Sequence, residues 1–142
     1  MDISDLIQDF IKILEEHKAD NLVVFDVTGK SSLADYYVFC SGTSDIHVRA
    51  LSNSIIKEMK DVRGLIPKSV EGSPSSQWIL LDYADVLIHV FHPKARRKYA
   101  IENMHKDKTI IYPEGNWTFP EPIELDENEL REVAEKIPSF LQ

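Results

Sequence analysis

Cysteine is nearly absent from this sequence, with Cys40 the single one among 142 residues. One thiol cannot close a disulfide within the chain, so a disulfide-stapled fold is excluded and a reducing compartment is expected. Long hydrophobic runs are also missing, since no stretch of about 18 apolar residues occurs. The first residues are acidic where a secretory signal is basic. We therefore expect a cytoplasmic protein without membrane contact.

Positive charge is scarce as well, because 16 lysines and arginines face 24 carboxylates and leave a net charge of −8. A chain of this sign is repelled by nucleic acid unless its cations cluster, so we expect little direct nucleic acid contact. The only dense basic cluster is Lys94, Arg96, Arg97 and Lys98. A solvated helix face is its plain interpretation, and phosphate contact is the alternative. The acidic remainder favours a basic protein as partner.

Helical periodicity predicts three helices in the first 108 residues. The first covers about residues 4–17, and the third begins at Pro93 and runs to about His105. The second is capped by Ser44 or Thr43 and stopped by Gly64. Its apolar stripe is formed by Val48, Leu51, Ile55, Met59 and Val62.

Short runs rich in β-branched and aromatic residues predict about five strands. They lie at residues 22–25, 36–40, near Val70, at 78–81 and at 86–91. Only four residues separate the last two, which forces an antiparallel hairpin. The fold class is therefore α/β, a mixed sheet of about five strands flanked by helices, over residues 1–108.

Residues 109–142 are predicted to form an acidic C-terminal extension with one short helix. From residue 114 onward there are eight carboxylates and two cations. Asp126 and Glu129 form a capping box that begins the helix, and Pro138 ends it. An isolated helix of this length is marginal in water, so we expect it to dock on its own domain or on a sister subunit.

The sequence offers no constellation for catalysis, metal binding or a cofactor. Gly29-Lys30-Ser31 resembles the end of a phosphate-binding loop, but Val24 stands where that loop needs a glycine. Gly42-Thr43-Ser44 lies where nucleotidyltransferases bind phosphate, yet no carboxylate pair follows on a strand. No cysteine or histidine set has tetrahedral metal spacing, and Cys40 is more typical of a core residue than of a nucleophile. We expect no enzymatic activity.

A series of short motifs nevertheless runs in a recognisable order from about Leu6 to Met104. The series is Asp26, Gly29-Lys30-Ser31-Ser32, Asp35, Ser41-Gly42-Thr43-Ser44, His47-Val48, Glu71-Gly72, Ser76, Trp78 and Asp82-Tyr83-Ala84-Asp85-Val86 with His89. In these motifs the chain resembles the ribosomal silencing factor (RsfS, Iojap-like) family. One departure is Ala84, where the family usually has glycine, and a type I′ turn there would force alanine to a positive φ.

The resemblance implies a non-enzymatic translational repressor with a nucleotidyltransferase-like fold that lacks the active site. It also implies binding to the large ribosomal subunit through ribosomal protein L14, which sterically blocks association with the small subunit. Aromatic residues and arginines anchor interfaces, and carboxylates complement a basic partner. We therefore predict a partner-binding surface formed by Trp78, Asp82, Tyr83, Asp85, His89, Arg96 and Arg97. Core packing is the alternative role of Trp78, and closure of the turn is that of Asp82 and Asp85.

Two other functions stay open on the sequence. A nucleotidyltransferase-like enzyme or a nucleotide-binding protein would be stabilised by nucleotide and Mg²⁺. A homodimer module would pair through an exposed sheet face or edge, and dimerisation away from the ribosome is also compatible with the silencing function.

Overall fold

The computed structural model describes residues 3–31, 34–72, 77–99, 109–113 and 127–128. The elements are α1 (Ile3–Glu16), β1 (Asp20–Asp26), β2 (Tyr36–Ser41), α2 (Asp45–Arg63), β3 (Ser69–Glu71), β4 (Trp78–Asp82), β5 (Val86–Phe91), α3 (Pro93–Tyr99) and β6 (Thr109–Tyr112). This order confirms the predicted α/β class. Within the described residues, no helix combines the length and the apolar character needed to cross a membrane.

Helix α2 begins and ends where the capping residues predict. Ser44 is extended, and its hydroxyl oxygen accepts a hydrogen bond from the backbone N–H of His47 at 3.1 Å. Gly64 has a φ of 64°, and its N–H donates to the carbonyl of Lys60. The stripe of α2 is buried from Val48 to Met59, whereas Val62 is 69% exposed. The prediction that Val62 continues the stripe is therefore wrong in its burial.

The sheet has six strands in the order β3-β4-β5-β2-β1-β6, rather than the predicted five. Its neighbours are antiparallel except for β2 and β5, which run parallel. The sixth strand, β6, pairs with β1 and lies in the residues predicted to form the extension. Its four residues include two isoleucines and a tyrosine, but a run this short next to a proline gives a weak strand signal.

The two faces of the sheet bury different kinds of side chain. Helices α1 and α2 cover one face, where Phe10 and Leu14 are fully buried against aliphatic residues of the strands. The opposite face is aromatic and includes Ala95 of α3. Its rings belong to Phe25, Tyr37, Phe39, Trp78 and Phe91. Side chains alternate between faces along each strand, so a residue's position on its strand decides which core it joins.

Parts of two predicted helices fall outside the described residues. Helix α3 is described to Tyr99, so its predicted continuation to His105 lies beyond the description. Of the predicted helix in the extension, only Glu127 and Asn128 are described, and both are helical.

Candidate partner-binding site

The turn between β4 and β5 is held by the side chain of Asp82. Asp82 Oδ1 accepts a hydrogen bond from the N–H of Ala84 at 2.8 Å, and the N–H of Tyr83 donates to the carbonyl of Val86 at 2.9 Å. Ala84 has a φ of 70°, in the left-handed region that disfavours a Cβ by about 1 kcal/mol. Asp82 therefore closes the turn and offsets the strain that Ala84 introduces.

Asp85, on the outer side of the same turn, has an exposed side chain. Its carbonyl accepts hydrogen bonds from the N–H groups of Asp35 and Tyr36, at 3.0 and 3.1 Å. Asp35 directly precedes β2, and Asp26 at the end of β1 pairs with Tyr36. Four carboxylates thus gather at one end of the sheet. We call Asp26, Asp35, Asp82 and Asp85 the acidic end.

Asp26 and Asp35 were not among the predicted site residues. Both side chains are partly exposed. They follow β1 and precede β2, so the sequence places them at strand ends. It does not reveal that β2 lies parallel to β5, and that pairing is what brings them beside the hairpin. Two signals could have found them, namely their positions at the ends of strands and their place among the motifs that carry the family resemblance.

Tyr83 points into the core from the hairpin. Its side chain is buried, and its ring centroid lies 5.0 Å from that of Phe10 on α1. Burial raises the pKa of the Tyr83 phenol to about 12. Among the described residues, its hydroxyl has no hydrogen-bond partner. Tyr83 therefore anchors the turn against α1 and does not present its ring to solvent.

Trp78 and His89 form a hydrogen-bonded pair in the aromatic core. Trp78 is 7% exposed and His89 is fully buried. The indole Nε1–H donates to Nδ1 of His89 at 3.1 Å, an arrangement that requires an unprotonated Nδ1 and assigns the ring proton to Nε2. The His89 ring stacks on Phe39 at 4.7 Å, and Trp78 stacks on Phe91 at 5.1 Å. Both side chains thus pack in the interior of this chain.

Arg96 lies at the opposite end of β5 from the hairpin. It is 1% exposed, and its Nη1 donates to the carbonyl of Asn21 at 2.7 Å and to Oγ of Ser41 at 3.0 Å. These bonds tie α3 to β1 and β2. The neighbouring Arg97 is exposed. The six residues of β5 span about 20 Å, so the two arginines lie far from the hairpin turn. The prediction that they belong to one surface with the turn is therefore wrong for their position.

The loop between β2 and α2 is explained by packing. A Cβ on Gly42 would lie 2.7 Å from the backbone nitrogen of Val48, so only glycine allows the loop to approach the helix this closely.

Cys40 is fully buried. Burial raises the pKa of its thiol to about 12, although the nearby charge of Arg96 acts to lower that pKa. Within the described part of the chain, no three His, Cys, Asp or Glu side chains are grouped to hold a metal.

Comparison with known proteins identifies relatives of this chain. The family model described as ribosomal silencing factor during starvation matches residues 1–138, which extends beyond the motifs seen between Leu6 and Met104. The chain is 30% identical over 115 residues to the ribosomal silencing factor RsfS of Halalkalibacterium halodurans, covering 81% of this chain and 97% of that protein. It is 36% identical over 96 residues to the RsfS of Bacillus subtilis, covering 68% of this chain and 80% of that protein.

A solved structure supports the same relationship. The crystal structure of a Chromobacterium violaceum protein superposes with a TM-score of 0.69 at 32% sequence identity, covering 73% of this chain and 86% of that one. A family match over nearly the whole sequence and a shared fold agree with the motifs of the hairpin and of the β2–α2 loop. The chain belongs to the ribosomal silencing factor (RsfS) family.

Proposed function

We propose that this protein represses translation by binding the large ribosomal subunit through ribosomal protein L14, which sterically blocks association with the small subunit. Membership of the RsfS family supports a ribosome-associated role in translational silencing. The observation that carries the proposed contact with ribosomal protein L14 is the acidic end. Four carboxylates from three segments of the chain converge there on a hydrogen-bonded turn, which suits a basic protein partner.

Within this proposal, the seven predicted residues divide into contact and support. Asp85 is exposed and Asp82 is partly exposed, so these carboxylates are the contact groups, together with Asp26 and Asp35. The buried members, Trp78, Tyr83, His89 and Arg96, hold the hairpin and the sheet in place. Arg97 is exposed at the far end and would meet the ribosome only if the contact extends along the sheet.

The electrostatics of the acidic end predict how binding depends on salt. The chain carries a net charge of −8, so a basic partner is attracted over a distance of about one Debye length, ~8 Å at physiological ionic strength. Charges at the rim of an interface mainly raise the association rate and lose this effect as salt increases. We expect the association rate to fall with salt and the dissociation rate to change little.

The proposed mechanism is occupancy, with no bond made or broken. Repression then follows the fraction of large subunits that carry the protein, in a stoichiometric manner. The RsfS family is not a known enzyme family, and this agrees with a role through binding. We propose that the protein acts in the cytoplasm on the ribosome and makes little nucleic acid contact, and that it is able to form a homodimer when unbound.

Co-sedimentation with purified ribosomal subunits tests the proposal. We expect the protein to pellet with large subunits and not with small ones, and to lower the yield of joined ribosomes when added before mixing. Equal binding to both subunits, or unchanged joining at saturating protein, would contradict it. Thermal unfolding with ATP or CTP and Mg²⁺ is the companion measurement. A clear rise in the midpoint would favour the nucleotide-binding alternative.

A further inference from the structure

His47, in the first turn of α2, bonds to two other segments of the chain through its ring. Its Nδ1 accepts a hydrogen bond from the backbone N–H of Thr43 at 2.8 Å. Its Nε2 lies 2.9 Å from the carbonyl oxygen of His17, directly after α1. A carbonyl oxygen only accepts, so these contacts assign the ring proton to Nε2 and a lone pair to Nδ1. The neutral ring therefore ties the β2–α2 loop to the end of α1.

A proton on Nδ1 of His47 reverses one of these contacts and keeps the other. The imidazolium has two donors, so Nδ1–H then opposes the N–H of Thr43, while Nε2–H still donates to His17. The hydroxyl oxygen of Thr43 lies 3.2 Å from the same Nδ1 and is able to accept from a protonated ring. Protonation thus exchanges the backbone bond of the loop for a side-chain bond.

The neighbouring contact between α1 and α2 responds to acid in the opposite sense. Nε2 of His17 lies 2.7 Å from a carboxylate oxygen of Glu58, and a protonated His17 makes this contact a charge-assisted pair. The two helices therefore stay joined when both histidines are protonated. Of these three contacts, only the one with the Thr43 amide is lost in acid.

The charged groups around His47 do not occupy its ring nitrogens, which contact backbone groups and the Thr43 hydroxyl. The titratable or charged side chains on the adjoining parts of α1, β1, α2 and the end of β5 are those of Glu16, His17, Lys18, Asp20, Asp45, Arg49 and His92. Carboxylates ordinarily titrate near pH 4 and histidines near about pH 6.5. Mild acid therefore acts on this region through its histidines.

We propose that His47 is a pH-sensitive latch of the β2–α2 loop. The neutral ring holds the loop against the end of α1 through the Thr43 amide, and the imidazolium releases that amide at mildly acidic pH. The loop follows β2, whereas the acidic end lies where β2 begins. The length of a strand separates the two, so the latch acts independently of the proposed ribosome contact.

An NMR titration of the full chain tests this proposal. The range from about pH 7.5 to about pH 5.5 covers the ordinary titration of histidine and stays above that of carboxylates. We expect ring nitrogen shifts to show an unprotonated Nδ1 of His47 at the upper pH, and the Thr43 amide signal to move as that ring titrates. The exchange of the Thr43 amide with solvent, corrected for the pH dependence of an unstructured peptide, should rise about fivefold at the lower pH.

Matched variants assign the effect to His47. His47→Gln keeps an acceptor and a donor that do not titrate, so the corrected exchange of the Thr43 amide should lose its pH dependence. His17→Gln is the control, because it removes the other titrating ring and keeps the backbone carbonyl that His47 binds. In that variant the Thr43 amide should respond to pH as it does in the unchanged chain.

Four results would overturn the proposal. Two come from the unchanged chain, namely a proton on Nδ1 of His47 at the upper pH, or corrected exchange of the Thr43 amide that is equal at both pH values. The others are a full pH response in His47→Gln, or its loss in His17→Gln. The first two need no substitution, so they decide the matter even where a variant fails to fold. None of the four bears on the acidic end, because binding of the large subunit is measured separately.

Discussion

The two ends of strand β5 differ in what their charged residues do. At the acidic end, Asp85 is exposed and uses its backbone to bind the start of β2. At the other end, which we call the arginine end, Arg96 is buried and all of its described hydrogen bonds are internal. Trp78 also lies there, since it pairs with Phe91 across the hairpin. A charged residue near a conspicuous aromatic can therefore be structural, and its burial distinguishes the two roles.

Trp78→Ala should have the largest effect on this comparison. It removes an indole stacked on Phe91 and His89 and takes away the donor to His89 Nδ1. We expect the free energy of unfolding to fall by about 3–5 kcal/mol, measured by chemical denaturation. Trp78→Phe is the control, and because it keeps a ring in the stack it should lose less. A loss below about 1 kcal/mol in Trp78→Ala would mean that Trp78 does not support the core.

Substitutions of the neighbouring Arg96 and Arg97 should have different effects on the free energy of unfolding in the same assay. Arg96→Ala leaves the carbonyl of Asn21 and the hydroxyl of Ser41 without their donor and opens space in the interior. We expect a loss of about 2–4 kcal/mol of unfolding free energy. Arg97→Ala, at an exposed position, should change it by less than about 0.5 kcal/mol. Similar losses in the two variants would remove the structural distinction between them.

Alkaline pH should lower the free energy of unfolding through two buried groups, first Cys40 and then, at higher pH, Tyr83. The pKa of Cys40 is raised from 9.0 to about 12, and that of Tyr83 from 10.0 to about 12. Each group loses its proton at a lower pH in the unfolded chain than in the folded one. Its contribution to the free energy of unfolding is therefore complete below the unfolded pKa and is lost as the pH rises through the folded pKa. We expect Cys40→Ala to flatten the decline in stability from about pH 9, by at most ~1.4 kcal/mol per pH unit.

Tyr83→Phe provides the contrast, because it should flatten the decline only above about pH 10. The measurement is the free energy of unfolding by urea at a series of pH values. If both variants follow the unchanged chain, neither buried group contributes to alkaline unfolding.

The smallest expected effect on stability is at the turn of the acidic end. Ala84→Gly relieves the positive φ at this position and should raise the free energy of unfolding by about 0.5–1 kcal/mol. Ala50→Gly, at an exposed position inside α2, is the matched control and should lower it by about 1 kcal/mol. A loss in Ala84→Gly would show that alanine is not strained in this turn.

Much of the fold could be predicted because its signals are local. The cap at Ser44, the stop at Gly64 and the four-residue connection between β4 and β5 all act over a few residues. The strand β6 was missed because its partner β1 lies far away in the sequence, and four residues carry little pattern. The exposure of Val62 was missed for a related reason, since a periodic stripe does not indicate how far a helix extends beyond the core that it covers.

The candidate site was harder to predict, because residue type does not reveal burial. Trp78, Tyr83 and Arg96 have the chemistry of interface anchors, and the same properties let them fill and bond an interior. The hairpin was correctly located, but it was the parallel pairing of β2 with β5 that joined Asp26 and Asp35 to it. Pairing between distant strands is a tertiary property, and the resemblance to the family provided motifs without their spatial arrangement.

The affinity of Asp85→Ala for purified large subunits, compared with that of Arg97→Ala, tests the central claim most directly. Both side chains are exposed, so neither change should alter the free energy of unfolding by more than about 0.5 kcal/mol. The proposal predicts that Asp85→Ala loses more than about 1 kcal/mol of binding, at least fivefold in the dissociation constant, and that Arg97→Ala stays near the unchanged protein. A folded Asp85→Ala that binds as tightly as the unchanged protein, with a loss confined to Arg97→Ala, would contradict the account.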